Sequence, residues 1–458
     1  VRNLHKEKLR LQEKYMNILD YLREHRMIND GGMGTLLQAG GLKPGELPET
    51  WNVLHPDTLV NIHKEYLRAG ANILTANTFG ANRLKYPDGQ KFALKDLIAA
   101  AIGNAGRART EYTEEYRSLH HCDPEPSFIG MDIGPTGHLL KPLGDLDFED
   151  AVEIFGQASK AGEEAGADFI FIETMSDTYE VKAAVLGAKE NTKLPVFATM
   201  TFLENGKLLT GADVDSAVAL LEGLRVDALG LNCGLGPAQM EKVARRLIEI
   251  SSTPVIITPN AGMPKTKNGV TSYELDPDTF ARQMVPIAKA GACILGGCCG
   301  TTPDHIRKMR ALIKGLRYRY PNLKSRTVVS SYGNAVVIDK KPILIGERIN
   351  PTGKKKLKAA LQEGRFDYIL AEAVKEQESG ADVLDVNVGL PGIDEPAMLE
   401  RAVREIQAVT DLPLEIDTSD LRAMERALRI CNGKPLINSV NGKEENMSAV
   451  FPLAAKYG

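Results

Sequence analysis

Three cysteines carry the most chemical information in this sequence. Cys298 and Cys299 stand side by side in ILGGCCGTTP, and Cys233 closes the run ALGLNCG. Adjacent cysteines hardly ever bridge each other, because a disulfide needs separated α-carbons and facing side chains. They can share one metal ion. Three thiolates and one open position suit a tetrahedral zinc that acts on a ligand, although small cysteines also serve simply as buried hydrophobes. Zinc held by three thiolates activates water poorly, yet it would ionise a substrate thiol entering the open position and leave it nucleophilic. The expected chemistry is transfer of an electrophilic group to sulfur. Metal-assisted hydrolysis fits less well, since HExxH is missing and the eight histidines are scattered.

The glycine-rich run DGGMGT, from Asp30 to Thr35, lacks the lysine of a phosphate loop and the spacing of a dinucleotide fingerprint. It suits a tight turn, or a set of backbone N–H groups able to hold a carboxylate. Asp30 and Glu173 would attract an ammonium group. Thiol, ammonium and carboxylate together describe an amino acid that bears sulfur.

The elements that must position these residues follow from a repeated phrase, in which a helical stretch ends in Gly-Ala and an apolar strand begins. It occurs as AGANILTANTFG, AGADFIFIETMSD, AGACILGGCCG and SGADVLDVNVG. Gly closes a helix in the left-handed conformation, and the β-branched run behind it suits a buried parallel strand. Eight such strands are expected near residues 30, 75, 131, 171, 198, 230, 257 and 295, with amphipathic helices between them. The pattern predicts an α/β fold, a (β/α)₈ TIM barrel over residues 27–315, with an open doubly wound sheet as the alternative. A barrel places its chemistry at the carboxyl ends of its strands. Those ends carry Asp30, Thr75 with Asn77, Asp132, Glu173, Thr201, Asn232 with Cys233, Asn260, and Cys298 with Cys299. Cys122, Cys293 and Cys431 fall elsewhere.

Residues 1–26 read as an amphipathic helix on the outside of this barrel. Residues 316–341, basic and rich in turn formers, read as a linker. From 342 to 458 a second βα series begins, with strands in PILIGERINPTG, ADVLDVNVG, LPLEIDTSD and PLINSVNG. Four strands cannot close a barrel, so this region is expected to be the first half of a second (β/α) barrel in a longer protein or assembly. The chain opens on Val1, which suggests a trimmed start.

Hydrophobic content of 43%, charged content of 25% and a net charge of -4 describe a globular protein without the basic stripe of a nucleic-acid binder. No apolar run is long enough for a membrane span, and six cysteines in 458 residues suit a reducing cytoplasm.

These motifs resemble the homocysteine S-methyltransferase family: DGGMGT, TANTFGANR, DIGPTG, FIETMSD, NCGLGP, PNAG and GGCCGTTP appear in that family's order. The resemblance implies a zinc enzyme on a (β/α)₈ barrel that methylates homocysteine, with Cys233, Cys298 and Cys299 as zinc ligands. Asp30, Thr78, Glu173 and Asn232 would contact homocysteine. The second region, through GERINPTGKKKLK, LDVNVG, EIDTSD and INSVNG, resembles pterin-binding methyltransferase barrels. By that likeness Asn350, Pro351, Thr352, Asp385, Asn387, Asp417 and Asn438 would hold methyltetrahydrofolate, whose neutral pterin offers donors and acceptors in a row. Jointly the two regions resemble the amino-terminal modules of the cobalamin-dependent methionine synthase family. There, methyltetrahydrofolate recharges cobalamin, and the methyl group then passes to zinc-bound homocysteine. The corrinoid motif DxHxxG is missing, so cobalamin is implied as a visitor on another module or subunit. Two other readings fit the first barrel: a cobalamin-independent enzyme using betaine or S-methylmethionine, and a homocysteine or folate sensor with structural zinc.

Overall fold

The computed structural model describes residues 17–458 except 268, 269 and 340. Most of the expected amino-terminal helix, residues 1–16, therefore lies outside the described residues. Strands β1 (Met27–Ile28), β2 (Ile73–Thr75), β3 (Phe128–Ile133), β4 (Phe169–Met175), β5 (Val196–Met200), β6 (Ala228–Asn232) and β7 (Val255–Thr258) lead to a hairpin, β8 (Lys265–Lys267) and β9 (Val270–Ser272), and then to β10 (Ile294–Leu295). Eight of them form one parallel sheet in the order β1-β10-β7-β6-β5-β4-β3-β2. Its outer members meet through a parallel bridge between Asn29 and Ile73. The sheet is thus a (β/α)₈ barrel, as its sequence pattern predicts.

Alternation along each strand explains the packing. Ile129, Ile170, Ile172, Leu229, Leu231 and Ile257 point outward to the helices and join the main core. Phe128, Phe169, Phe171, Phe197, Ile256 and Ile294 point inward and form a separate cluster. Such bulky rings need space opposite them. Gly130 provides it, since a Cβ there would lie 2.6 Å from the Phe169 ring. The described part of the first helix, Ile18–Glu24, also departs from the outside position expected for it: Ile18, Tyr21 and Leu22 join the inward cluster and plug the amino-terminal mouth. Closing that end leaves the carboxyl rim as the face where chemistry can occur.

The stretch read as a linker contains an antiparallel hairpin, β11 (Thr327–Ser330) and β12 (Ala335–Ile338). Ser330 N donates to Lys434 O at 2.8 Å, which ties this hairpin to the second region. There β13 (Ile345–Ile349), β14 (Val383–Val386), β15 (Leu414–Asp417) and β16 (Leu436–Asn438) pair in chain order, all parallel. Helices Asp367–Glu378, Glu395–Gln407 and Leu421–Ile430 separate them, giving a parallel sheet of four strands with helices between. Among the described residues no helix is long and apolar enough to cross a membrane.

Candidate metal and ligand site

Cys233 directly follows β6 in a left-handed conformation, φ 59°, which turns the chain sharply off the strand end. Cys298 and Cys299 follow β10. The loop after β7 lies between them and sets their spacing. Cys233 N donates to Thr258 O at 3.1 Å, Cys298 N to Pro259 O at 2.9 Å, and Ala261 N to Cys299 O at 2.9 Å. The three sulfurs consequently lie within 4.8 Å of one another, and all are free thiols.

Their electrostatics suit a cation. Hydrogen bonds from Cys233 and Cys298, aided by the Tyr273 hydroxyl, hold Cys299 far below the usual thiol range, at about 3. Cys298, which donates to both other sulfurs, is pushed well up, and desolvation adds to that. One thiolate is thus shared among three sulfurs, and a soft divalent ion would displace the remaining protons. Asn260, at the end of β7, keeps a buried Oδ1 without a partner beside this loop.

The sulfurs open onto a cavity of about 320 Å³, lined also by Asp30, Glu49, Asp132, Glu173 and the turn Gly31 to Gly34. Thr75 N and Thr75 Oγ1 each donate to Asp30 at 2.8 Å. Burial nevertheless raises the Asp30 carboxyl to about 7. Glu173, partly open to the cavity but walled in by protein, is raised to about 8 by desolvation and then by the charges of Cys233 and Asp30. Asp132 is pushed well above the carboxylate range by burial and by Glu173, and its Oδ1 has no hydrogen-bond partner. Lys85 is the single cationic side chain among the described residues lining this space. Such crowding of carboxylates favours a ligand that brings positive charge.

The fold therefore brings Asp30, Glu173 and the cysteines together, whereas two other residues expected to touch a ligand do not line the cavity. Thr78 Oγ1 is spent across the ends of β2 and β3, donating to Asp132 O at 2.8 Å and accepting from Asp132 N at 3.0 Å. Asn232 is fully buried. Its Oδ1 accepts from Thr174 N at 2.8 Å and Thr199 Oγ1 at 2.9 Å, while its Nδ2 reaches Glu173 at 3.2 Å and the Cys298 sulfur at 3.8 Å. It links the carboxylate to the cysteines from behind. Glu49 was missed because it sits on a short 3₁₀ turn, Pro48–Thr50, away from any strand end. It accepts from Gly80 N at 2.5 Å and from the Tyr86 hydroxyl at 2.7 Å.

In the second region the expected folate contacts gather at the carboxyl ends of β13 to β16. Asn387 Nδ2 donates to Asp417 at 2.9 Å, and its Oδ1 accepts from Gly389 N at 2.9 Å. Asp385 is buried, and neither oxygen makes a hydrogen bond of good geometry. Desolvation, followed by the charges of Asp417, Glu415 and Glu347, raises it to about 7, with Asn438 easing only part of this. Asn350 Oδ1 accepts from Thr352 N at 3.0 Å within the turn after β13; Pro351 is buried there and Thr352 exposed. An unspent acid between amide side chains fits a heterocycle with donors along its edge.

The sequence model of homocysteine S-methyltransferase matches residues 27–313, and that of pterin binding enzymes matches residues 346–458. Methionine synthase of Mycobacterium tuberculosis is 32% identical over 462 residues, covering 96% of this chain and 38% of that protein. Methionine synthase of Mycobacterium leprae is 31% identical over 466 residues, with the same two coverages of 96% and 38%. The chain thus spans 38% of the length of these relatives. Among solved structures, the homocysteine methyltransferase MmuM from Escherichia coli aligns in its apo form with a TM-score of 0.51 at 23% identity, over 64% of this chain and 97% of that one. Its metallated form gives 0.52 at 23% identity, over 66% and 98%. That likeness is one of fold.

Proposed function

The chain belongs to the homocysteine S-methyltransferase family, and on that premise we propose that its first barrel, residues 27–315, binds homocysteine and presents the sulfur to a methyl donor. The observation that carries this reading is the meeting of three sulfurs within 4.8 Å of each other on a cavity that also holds Asp30 and Glu173. Held by Cys233, Cys298 and Cys299, zinc would ionise the incoming thiol and keep its sulfur nucleophilic. Asp30 and Glu173 receive the substrate ammonium, whose charge offsets the desolvation that raises both carboxyls. The turn Gly31 to Gly34 lines the same cavity, and its backbone N–H groups, other than that of Gly32, which donates to Thr301 Oγ1, would meet the substrate carboxylate. Asn232 keeps Glu173 and Cys298 in register. Thr78 acts indirectly, by holding Asp132 at the cavity wall.

In this reading residues 316–341 connect the barrel to residues 342–458, which hold methyltetrahydrofolate. Asp385, Asn387, Asp417 and Asn438 would meet the pterin edge, and the turn Asn350, Pro351, Thr352 would close over one side. In this scheme, which follows the motif resemblance to cobalamin-dependent methionine synthases, the methyl group would travel between the two regions on cobalamin, carried by a corrinoid-binding module or subunit. The six free thiols fit a reducing compartment, the cytoplasm.

X-ray absorption at the zinc edge tests the central claim. Adding homocysteine should raise the sulfur count around zinc by one. An unchanged sulfur shell would refute thiol activation.

A further inference from the structure

Resting on the homocysteine reading above, one more residue can be tied to the way Glu173 enters the cavity. Four non-glycine residues have positive φ among the described residues. His121 and Arg225 lie just past helix ends, where that conformation closes the last turn. The other two, Thr174 at 64° and Cys233 at 59°, lie on the carboxyl rim. Thr174 alone is β-branched, and a branched side chain is an outlier in that region. Its place is a bulge. Ile172 pairs with Ala198 and Met175 with Met200, so three steps along β4 answer two along β5. The extra residue resets the alternation of the strand. Ile170, Ile172 and Met175 all point outward into the main core, while Glu173 and Thr174 both line the cavity. With regular pairing, Thr174 would face the helices and Met175 the rim.

Asn232, fully buried at the end of β6, holds this bulge in place. Its Oδ1 accepts from Thr174 N at 2.8 Å and from Thr199 Oγ1, on the neighbouring strand, at 2.9 Å. Its Nδ2 donates to Thr174 Oγ1 at 2.7 Å and to Glu173 Oε2 at 3.2 Å. The N–H and the hydroxyl of Thr174 are thus bound to one amide, which offsets the cost of the backbone conformation. We infer that Thr174 is a positioning residue: its left-handed bulge, clamped through N–H and hydroxyl by Asn232, aims the Glu173 carboxylate at the ammonium group of the ligand. The hydroxyl acts through the backbone and not through contact with the ligand.

The test titrates the zinc-loaded chain calorimetrically with homocysteine and with γ-mercaptobutyrate, the same thiol acid without the amino group. The unaltered protein should prefer homocysteine by roughly 10-fold or more, the worth of a charged hydrogen bond. Thr174→Val keeps the shape and the branch but not the hydroxyl, so the bulge should relax. The preference should then fall to about 2-fold or less while γ-mercaptobutyrate binds as before. Thr174→Gly adopts positive φ without strain and should keep the preference. A side chain that only filled space would give the reverse order, with valine mild and glycine severe. Loss of the preference in Thr174→Gly, or a preference in Thr174→Val equal to that of the unaltered protein, would overturn the inference. If Thr174→Val does not fold, the glycine variant decides alone, retention supporting the inference and loss refuting it. An unaltered protein that binds both thiols equally would overturn the ammonium reading itself, and this inference with it. The two failures are thereby distinguished.

Discussion

Lys182, on a helix of the first barrel, donates a 2.7 Å hydrogen bond to the carbonyl of Leu428 in the second βα region, and its other partner there is Cys431 O at 2.6 Å. The side chain is fully buried. Arg429 answers from the other direction, donating to Glu149 at 2.7 Å and to Glu190 at 2.6 Å. The junction is therefore a reciprocal exchange of cations, and one of them is withdrawn from water. Desolvation lowers the Lys182 ammonium from 10.5 to about 8, against a smaller opposing effect of Cys431.

This has a pH signature. Between pH 8 and 10.5 the unfolded chain keeps its proton on Lys182 while the folded chain gives it up. The unfolded state then binds more protons, so stability contributed by this site rises with pH across that window. The stability of the unaltered protein relative to Lys182→Met is expected to increase by on the order of 1–3 kcal/mol from the lower to the upper end. Denaturant unfolding of both proteins at several pH values measures it. A flat difference would contradict the assignment.

Asp30 should behave in the opposite sense. Its carboxyl is raised from 3.8 to about 7. Between those values the folded state binds the extra proton, so the contribution of Asp30 to stability falls as pH rises. Asp30→Asn keeps both contacts with Thr75 and removes the charge. Without ligand, this variant is expected to be more stable than the parent at pH 8 by on the order of a few kcal/mol, with the gap closing toward pH 4. It should also lose homocysteine binding at least 10-fold, since an ammonium loses its charged partner. Thermal unfolding and calorimetric titration give the two readouts. A variant less stable than the parent at pH 8 would mean that Asp30 has an unseen counter-charge.

Much of this was legible before any coordinates, for a physical reason. Parallel strands buried on both faces read as unbroken β-branched runs, and each helix before them ends on a glycine that the turn requires. The strand ends then had only one rim to occupy, which is why Cys233 and Cys298, 65 positions apart in the numbering, could be placed together. What stayed illegible depended on partners. Asp30 and Thr78 are both polar residues near strand ends, yet one faces a cavity and the other spends its hydroxyl on Asp132. Glu49 carried no periodic signal at all. The hairpin β11 to β12 was hidden because its strands are short and its sequence is basic and turn-rich. The helix Ile18–Glu24 was correctly amphipathic, but nothing in its own pattern told a barrel mouth from a barrel flank.

The inner layer of the first barrel allows a sharp test of packing. A Cβ at Gly230 would lie 1.9 Å from the carbonyl oxygen of Ile256 on the neighbouring strand β7. That atom belongs to a paired backbone, so no rotamer change relieves the clash. Gly230→Ala is expected to destabilise the barrel by about 4 kcal/mol or more, in the range of severe core defects. Gly103→Ala, where the added carbon meets nothing within 4 Å, should be neutral or slightly stabilising because alanine favours a helix interior. Urea unfolding of the pair decides it, and equal midpoints would mean that β6 and β7 are spaced differently.

Asp385 offers the corresponding test in the second region. Three other carboxylates, those of Asp417, Glu415 and Glu347, lie near enough to raise it, and its own oxygens are unspent. A buried acid without a partner is unfavourable unless a ligand completes it. A pterin that donates to this carboxylate would gain a charge-assisted hydrogen bond, and Asp385→Ala should therefore weaken methyltetrahydrofolate binding by roughly 10- to 100-fold. Asp417→Asn should act differently. It preserves an oxygen for Asn387 while removing the charge that, after burial, does most to raise Asp385, so Asp385 should ionise at lower pH and the pH dependence of folate binding should shift downward with it. Fluorescence titration with methyltetrahydrofolate from pH 5 to 9, run on the parent and both variants, separates contact from electrostatics. If Asp385→Ala binds as tightly as the parent, the pterin lies elsewhere on this rim.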